Sequence, residues 1–159
     1  MILVTVGQMM GFNRLIHAMD DWGRKHPDVK LIAQIGDGTY KPTAMNWMEM
    51  LTLSEFKATV AAAEIIVAHA GMGSFFVSME TGKPIVMMPR HAALGEHTTD
   101  HQIHTLQWLR KKPGVFAADE VDDLPGAIER ARAATSMPSN FERLAPVDFV
   151  NRLRRAIVE

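Results

Sequence analysis

The sequence predicts a doubly wound α/β domain organised around a parallel sheet. Three observations carry that expectation. Short apolar strands alternate with helical segments; the strands read as continuous hydrophobic runs, as they do when helices cover both faces of a sheet; and two of them, Ile2 to Val6 and Ile65 to Ala68, run directly into glycine-rich turns. With 159 residues, 47% of them hydrophobic, residues 1–159 make one domain with room for a substantial core.

Ile2 to Val6 reads as a buried strand. Gly7-Gln8-Met9-Met10-Gly11 is the turn into a helix whose Phe12, Leu15, Ile16, Met19 and Trp22 recur at helical spacing, with Gly23 as its stop. Val29 to Ile35 is the next strand, closed by Gly36-Asp37-Gly38, and Ala44 to Leu51 the third. Thr52-Leu53-Ser54-Glu55 has the capping-box pattern, in which Thr52 accepts from the Glu55 backbone N–H and the Glu55 carboxylate returns the bond; a helix to about Ala63 follows. Ile65 to Ala68 is the fourth strand, Ser74 to Thr81 a helix ended by Gly82, and Ile85 to Met88 the fifth strand, between Pro84 and Pro89. Thr99-Asp100-His101-Gln102 repeats the capping-box pattern and starts a helix through Leu109. Val115 to Ala117 is the sixth strand, and Asp123 caps a helix carrying Leu124, Ala127, Ile128 and Ala131. After a loop over 136–140, Val147, Val150, Leu153 and Ile157 give 146–159 the pattern of a terminal amphipathic helix.

Composition narrows the function classes. A net charge of −1 and a pI near 6.7 argue against a broad electrostatic surface for nucleic acid. The basic runs Arg110-Lys111-Lys112 and Arg152, Arg154, Arg155 sit near expected helix C-termini, where cations complement the helix dipole. The absence of cysteine excludes a disulfide framework and a thiolate catalyst, and it fits a cytoplasmic protein. The opening Met1 to Val6 reaches Gly7 too soon for a signal-peptide core or a membrane span, so membrane association is expected only through a partner or an amphipathic surface.

The chemistry concentrates between Glu64 and Gln102. Gly71 and Gly73 permit unusual backbone conformations and close approach of a ligand, while Ser74 offers a hydroxyl and an N–H at a helix start, where free backbone amides attract anions. A phosphate cradle and a plain tight turn capped by Ser74 both fit these residues. A dinucleotide fingerprint fits less well, because Phe76 stands where the third glycine belongs. His69 either donates to a ligand or fixes the turn. His97, His101 and His104, with His91 and Asp100 nearby, have a spacing that raises a zinc site, although the glycine and proline around the first of them argue against a continuous helix from His97. Arg90, Glu96, His97, Asp100 and Gln102 follow a buried strand and suit a hydroxyl-rich ligand, since carboxylates and amides satisfy two partners at once; a solvated loop explains the same composition, and Gln102 also fits as the return half of the Thr99 capping box.

Taken in order, Val4-Thr5-Val6-Gly7, His69-Ala70-Gly71-x-Gly73-Ser74, Gly82-Lys83-Pro84 with Pro89, and Gly95-Glu96-His97-x-x-Asp100-His101-Gln102 resemble the C-terminal domain of glycosyltransferase family 28. That domain is the Rossmann-like, nucleotide-sugar half of GT-B transferases acting on lipid-linked acceptors, and the resemblance covers nearly the whole chain. It is most similar to free-standing catalytic subunits, those of eukaryotic N-acetylglucosaminyl transfer and of bacterial exopolysaccharide glucuronosyl transfer, with Arg90 to Gln102 leaning toward the bacterial group. The resemblance implies a UDP-sugar as substrate, with no cofactor and no metal. It assigns the donor nucleotide to Gly71, Met72, Gly73 and Ser74 with His69, to the Gly7, Gln8 and Gly11 turn with Asn13, and to backbone around Leu51 and Leu53. It assigns the donor sugar to Arg90, Glu96, His97, Asp100, His101 and Gln102. Many members carry an acidic ribose ligand where this chain has Val77; Glu80, one helical turn on, is the nearest carboxylate.

In two-domain relatives the other half binds the acceptor and supplies the catalytic base. The resemblance therefore implies an inverting transferase subunit working with a membrane-anchored, acceptor-binding partner at the inner membrane face, with Glu96 as the only weak candidate base in this chain and the terminal helix as the docking element. An exposed docking face would favour a homo-oligomer when the partner is missing. A nucleotide-binding regulatory module and a metal-dependent hydrolase are the alternative classes.

Overall fold

A computed structural model describes residues 1–134 together with Asp148, Asn151, Arg152, Arg154 and Arg155. The expected loop at 136–140 and the apolar positions Val147, Val150, Leu153 and Ile157 of the expected terminal helix lie outside the described residues.

Six strands, β1 (Ile2–Thr5), β2 (Leu31–Gln34), β3 (Asn46–Met48), β4 (Ile65–His69), β5 (Ile85–Met88) and β6 (Val115–Ala117), form one sheet in the order β3-β2-β1-β4-β5-β6. Every neighbouring pair is parallel, with Ile2 opposite both Leu31 and Ile65 at the centre. The helices are α1 (Asn13–Lys25), α2 (Leu53–Ala62), α3 (Met72–Thr81), α4 (His101–Leu109) and α5 (Leu124–Ala133), with 3-10 turns at Ala92–Leu94 and Val121–Asp123. None of the described helices is long and apolar enough to cross a membrane.

Alternate residues of each central strand point to opposite faces, and both faces are apolar. Ile2, Val4 and Val67 pack with Phe12, Leu15, Ile16 and Met19 of the α1 side and with Leu124, Ala127 and Ile128 of α5. Leu3, Ile66 and Met87 pack on the other face with Val60 of α2, Phe75 of α3, and Leu106 and Leu109 of α4. Two cores therefore sandwich the sheet. The sequence order of its strands runs outward in opposite directions from β1 and β4, so the crevice between those two strands opens at their carboxyl ends, after Thr5 and His69.

Several local expectations are corrected. Gly23 does not stop α1 but is buried within it, because a Cβ there would lie 2.7 Å from Leu31 Cδ1; the helix runs on to Lys25. The third strand shrinks to three residues at the sheet edge, Asn46–Met48. The Thr52/Glu55 capping box forms, with Thr52 N donating to Glu55 at 2.8 Å. The one expected at Thr99 does not: α4 is N-capped by Asp100 without a side-chain bond, and Gln102 is instead buried, its Oε1 accepting from Arg90 N–H at 3.2 Å. Asp123 precedes α5 but accepts from Asp119 and Glu120 N–H groups rather than from α5 itself. Arg110 does stand at the end of α4, held by Asp119 at 2.5 Å.

Candidate functional site

The glycine-rich turn after β4 opens α3 two residues earlier than the sequence suggests. Gly71 is the N-cap, with no side-chain cap, so Ser74 occupies the third helical position and is buried. The amides of Met72, Gly73 and Ser74 have no partner among the described residues, and neither does the Ser74 hydroxyl. Neither Gly71 nor Gly73 takes a left-handed conformation, contrary to expectation. Gly71 is required for space: a Cβ would fall 2.2 Å from His69 Nε2. At Gly73 a Cβ would meet nothing within 4 Å, because that position faces an open cleft.

The cleft, about 330 Å³ in volume, is bounded by Gly73, Ser74 and Val77 of α3 on one side and by Thr5, Gly7, Gln8 and Gln34 on the other, with Leu51, Leu53 and Phe56 forming an apolar shelf. Gly7 has a φ of 80°, donates its N–H to Thr5 Oγ1 at 3.2 Å, and accepts at its carbonyl from Gln34 Nε2 at 3.0 Å. His69 sits between the two turns at the cleft base. A Cβ on Gly7 would come within 2.8 Å of its Cε1, and its Nδ1 is buried without a partner in hydrogen-bond geometry. Burial, then the nearby Arg90 guanidinium, pull its pKa down to about 4, so the ring is neutral near pH 7. A cleft with free amides on one rim, a hydroxyl, a neutral imidazole and an apolar shelf is suited to an anion attached to a flat apolar ring.

Of the residues assigned from the sequence to a donor nucleotide, Gly7, Gln8, Leu51, Leu53, His69, Gly73 and Ser74 line this cleft. Gly71 and Met72 open the adjoining helix. Gly11 and Asn13 lie outside it: Gly11 N–H donates to Asp37, and Asn13 bonds Thr39 at 2.8 Å and the Tyr40 N–H at 3.1 Å, fixing the loop after β2. Glu80 is exposed and does not line the cleft, whereas Val77 does. Thr5, Gln34 and Phe56 are lining residues that the sequence reading does not select. Gln34 carried a signal, as a polar residue at the carboxyl end of an otherwise apolar strand.

The segment from Arg90 to Gln102 is organised differently. Arg90 is 2% exposed, and its guanidinium points inward, donating to the carbonyls of Val6 at 2.8 Å and Met10 at 2.6 Å and to that of Gly11. Glu96 is gripped by Arg14 through both oxygens, at 2.8 and 2.9 Å, and also accepts from His91 N–H at 2.9 Å. A carboxylate so occupied is a structural anchor rather than a free base. Asp100 accepts from Ala92 N–H at 2.8 Å, and His97 accepts from Thr98 N–H at 2.9 Å with its ring edge-on to His101. Among the described residues no group of three or more histidine, aspartate or glutamate side chains converges to hold a metal ion, so the spacing of His97, His101 and His104 brings together no ligand set.

A doubly wound sheet with a cleft rimmed by free amides at its switch point is an architecture shared with nucleotide-binding domains. Residues 1–115 match the glycosyltransferase family 28 C-terminal domain, and the chain belongs to that family. It is 27% identical over 124 residues to the human UDP-N-acetylglucosamine transferase subunit ALG13, a match that takes in 67% of this chain and 10% of that protein. The chain thus spans about a tenth of that relative's length. Among solved structures, the glycosyltransferase of kitacinnamycin superposes with a TM-score of 0.60 at 18% identity, over 84% of this chain and 34% of that one. The spinosyn forosaminyltransferase SpnP superposes at 0.60 and 16% identity, over 99% of this chain and 44% of that one. The fold is the Rossmann-like domain of GT-B glycosyltransferases.

Proposed function

We propose that this chain is the donor-binding subunit of a UDP-sugar-dependent, inverting glycosyltransferase. The observation that carries the reading is the cleft at the switch point: uncapped amides of Met72 to Ser74 across from the Gly7–Gln8 turn, beside an apolar shelf of Leu51, Leu53 and Phe56, in a family 28 domain. A diphosphate at the start of α3 would meet three backbone donors, the Ser74 hydroxyl and the positive end of the helix dipole, and uracil would lie on the shelf.

Transfer is a direct displacement: an acceptor hydroxyl attacks the anomeric carbon, the bond to the diphosphate oxygen breaks, and UDP leaves with the electron pair. Amides and helix dipole stabilise that leaving charge, while the cleft aligns the sugar. The base that takes the acceptor proton comes from elsewhere, because Glu96 is held by Arg14. We assign it, with the lipid-linked acceptor site, to a membrane-anchored partner subunit, which would hold this chain at the cytoplasmic face of the membrane in polysaccharide or glycan synthesis. The human relative's name, a transferase subunit, supports a divided enzyme. The sugar carried is glucuronate or N-acetylglucosamine, and no cofactor is required.

Calorimetric titration with UDP, UDP-glucuronate and UDP-N-acetylglucosamine tests this. Binding of UDP, weakened about tenfold by Ser74→Ala through loss of one charge-assisted hydrogen bond, is expected. No binding of any of the three would defeat the reading.

A further inference from the structure

Gly7 to Gly11 resembles a flexible glycine loop in sequence, yet carbonyls at both of its ends, Val6 just before it and Met10 and Gly11 at its close, are held by one buried cation. The Arg90 guanidinium takes the carbonyls of Val6, Met10 and Gly11, while its Cζ lies over the Phe12 ring, 4.8 Å from the ring centre. Arg90 is itself fixed at both ends, its backbone N–H on Gln102 and its Nη1 in reach of the Glu96 carbonyl at 3.4 Å. Its charge is compensated by the carboxylates of Glu96 and Asp37. Three further loop groups are also spoken for: Gly7 N–H by Thr5, Gly7 carbonyl by Gln34, Gly11 N–H by Asp37.

The backbone amides of Gln8, Met9 and Met10 have no partner among the described residues, and neither do the carbonyls of Gln8 and Met9. Holding the carbonyls at both ends of a short loop fixes the path of the backbone between them, and consecutive free amides there make an anion-binding concavity. Gln8 stands on the cleft wall opposite Ser74. The geometry points to Arg90 as the positioning residue for diphosphate capture: without touching the ligand, it holds the Gln8 to Met10 amides as the second jaw of a clamp whose first jaw is Met72 to Ser74. This rests on the donor reading above, and it moves Arg90 from an expected sugar contact to the scaffold of the diphosphate site. An arginine suits the task because its planar fork can serve three carbonyls simultaneously, which a lysine ammonium on a flexible stem cannot do with the same geometry.

The test separates the diphosphate from the nucleoside. UDP and uridine are titrated into the full chain and into Arg90→Lys by calorimetry, with thermal denaturation run in parallel. The expected result is a UDP affinity lowered about tenfold or more, with uridine affinity changed less than about twofold, since the lost donors face only the diphosphate. A merely structural role would lower both together or neither. Independently of whether the variant folds, backbone amide resonances of Gln8, Met9 and Met10 in the wild-type chain should shift on adding UDP and not on adding uridine. Wild-type binding of UDP with those resonances unmoved, or an unchanged UDP-to-uridine ratio in Arg90→Lys, would overturn the role of Arg90 alone. Failure of the wild-type chain to bind UDP would instead remove the donor reading, and this proposal with it.

Discussion

The two glycine turns at the carboxyl edge of the sheet look alike in sequence and solve different problems. The turn after β4 becomes the first turn of α3, and its free amides are a consequence of helix geometry that needs no further support. The turn after β1 is not helical; it has a left-handed glycine, Gly7, and three carbonyls anchored on Arg90, a residue 79 or more positions away. One site is local and the other is assembled from distant parts of the chain. His69 lies between them, and both turns need glycine where they pass its ring. A glycine in such a turn therefore records either the room a neighbour takes or the room a ligand needs, and the two can be separated by experiment.

The largest effect is expected where the neighbour takes the room. In Gly71→Ala the new methyl would fall 2.2 Å from His69 Nε2 and 2.8 Å from Cδ2, and the ring is hemmed in by Gly7 on its other side. Overpacking at a position that cannot relax costs on the order of 3 kcal/mol, well above the usual surface substitution. Urea denaturation of the variant measures it. A loss under about 1 kcal/mol would mean that the ring swings clear and that the two turns are not locked together.

Next in size is the acid response of the same ring. His69 has a folded pKa of about 4 against an ordinary 6.5, so the unfolded chain takes up this proton first as the pH falls. Stability from this group is therefore complete above about 6.5, declines between 6.5 and 4, and levels off below about 4. By pH 5 the loss is about 2 kcal/mol relative to neutral pH. A ring-proton titration of His69 by NMR should place the midpoint near 4; a midpoint near 6.5 would show an open, hydrated ring and a gap between the turns that water fills.

The contrast also explains which parts of the molecule were legible in the sequence. Strand positions, sheet class and the helix periods could be read because the central strands are apolar on both faces and α1 carries its core face at Phe12, Leu15, Ile16 and Met19. The turn at Gly71 to Ser74 could be read as the start of a helix with free amides because it is local. The segment from Arg90 to Gln102 could not. Arginine, glutamate and glutamine after a buried strand look like ligand-facing groups, yet Arg90 turns inward to the β1 loop, Glu96 to Arg14, and Gln102 to the Arg90 backbone. Each of these partners lies on a different element or a turn away, and no spacing rule reports it. Gln102 shows the ambiguity most directly: as the third residue after Thr99 it completes a capping-box pattern, but the core places a higher demand on it by leaving the Arg90 N–H in need of an acceptor.

The smallest change in stability should come with a clear change in binding, and it is the test that best separates the two kinds of glycine. Gly73 lies inside the first turn of α3 with ordinary backbone angles, and a Cβ there would meet nothing within 4 Å. Replacing it by alanine removes a flexible residue from a helix, so Gly73→Ala should leave the protein as stable as wild type or about 0.5 kcal/mol more stable. The same methyl enters the cleft that Ser74 also lines, where a ligand phosphate would have to approach the amides closely. UDP affinity should therefore fall about tenfold while the melting temperature holds or rises, the opposite pattern from Gly71→Ala. If Gly73→Ala were destabilised, its glycine would be serving the fold, as at Gly71; if it were stable and bound UDP as well as wild type, the free amides of α3 would not be where the diphosphate sits.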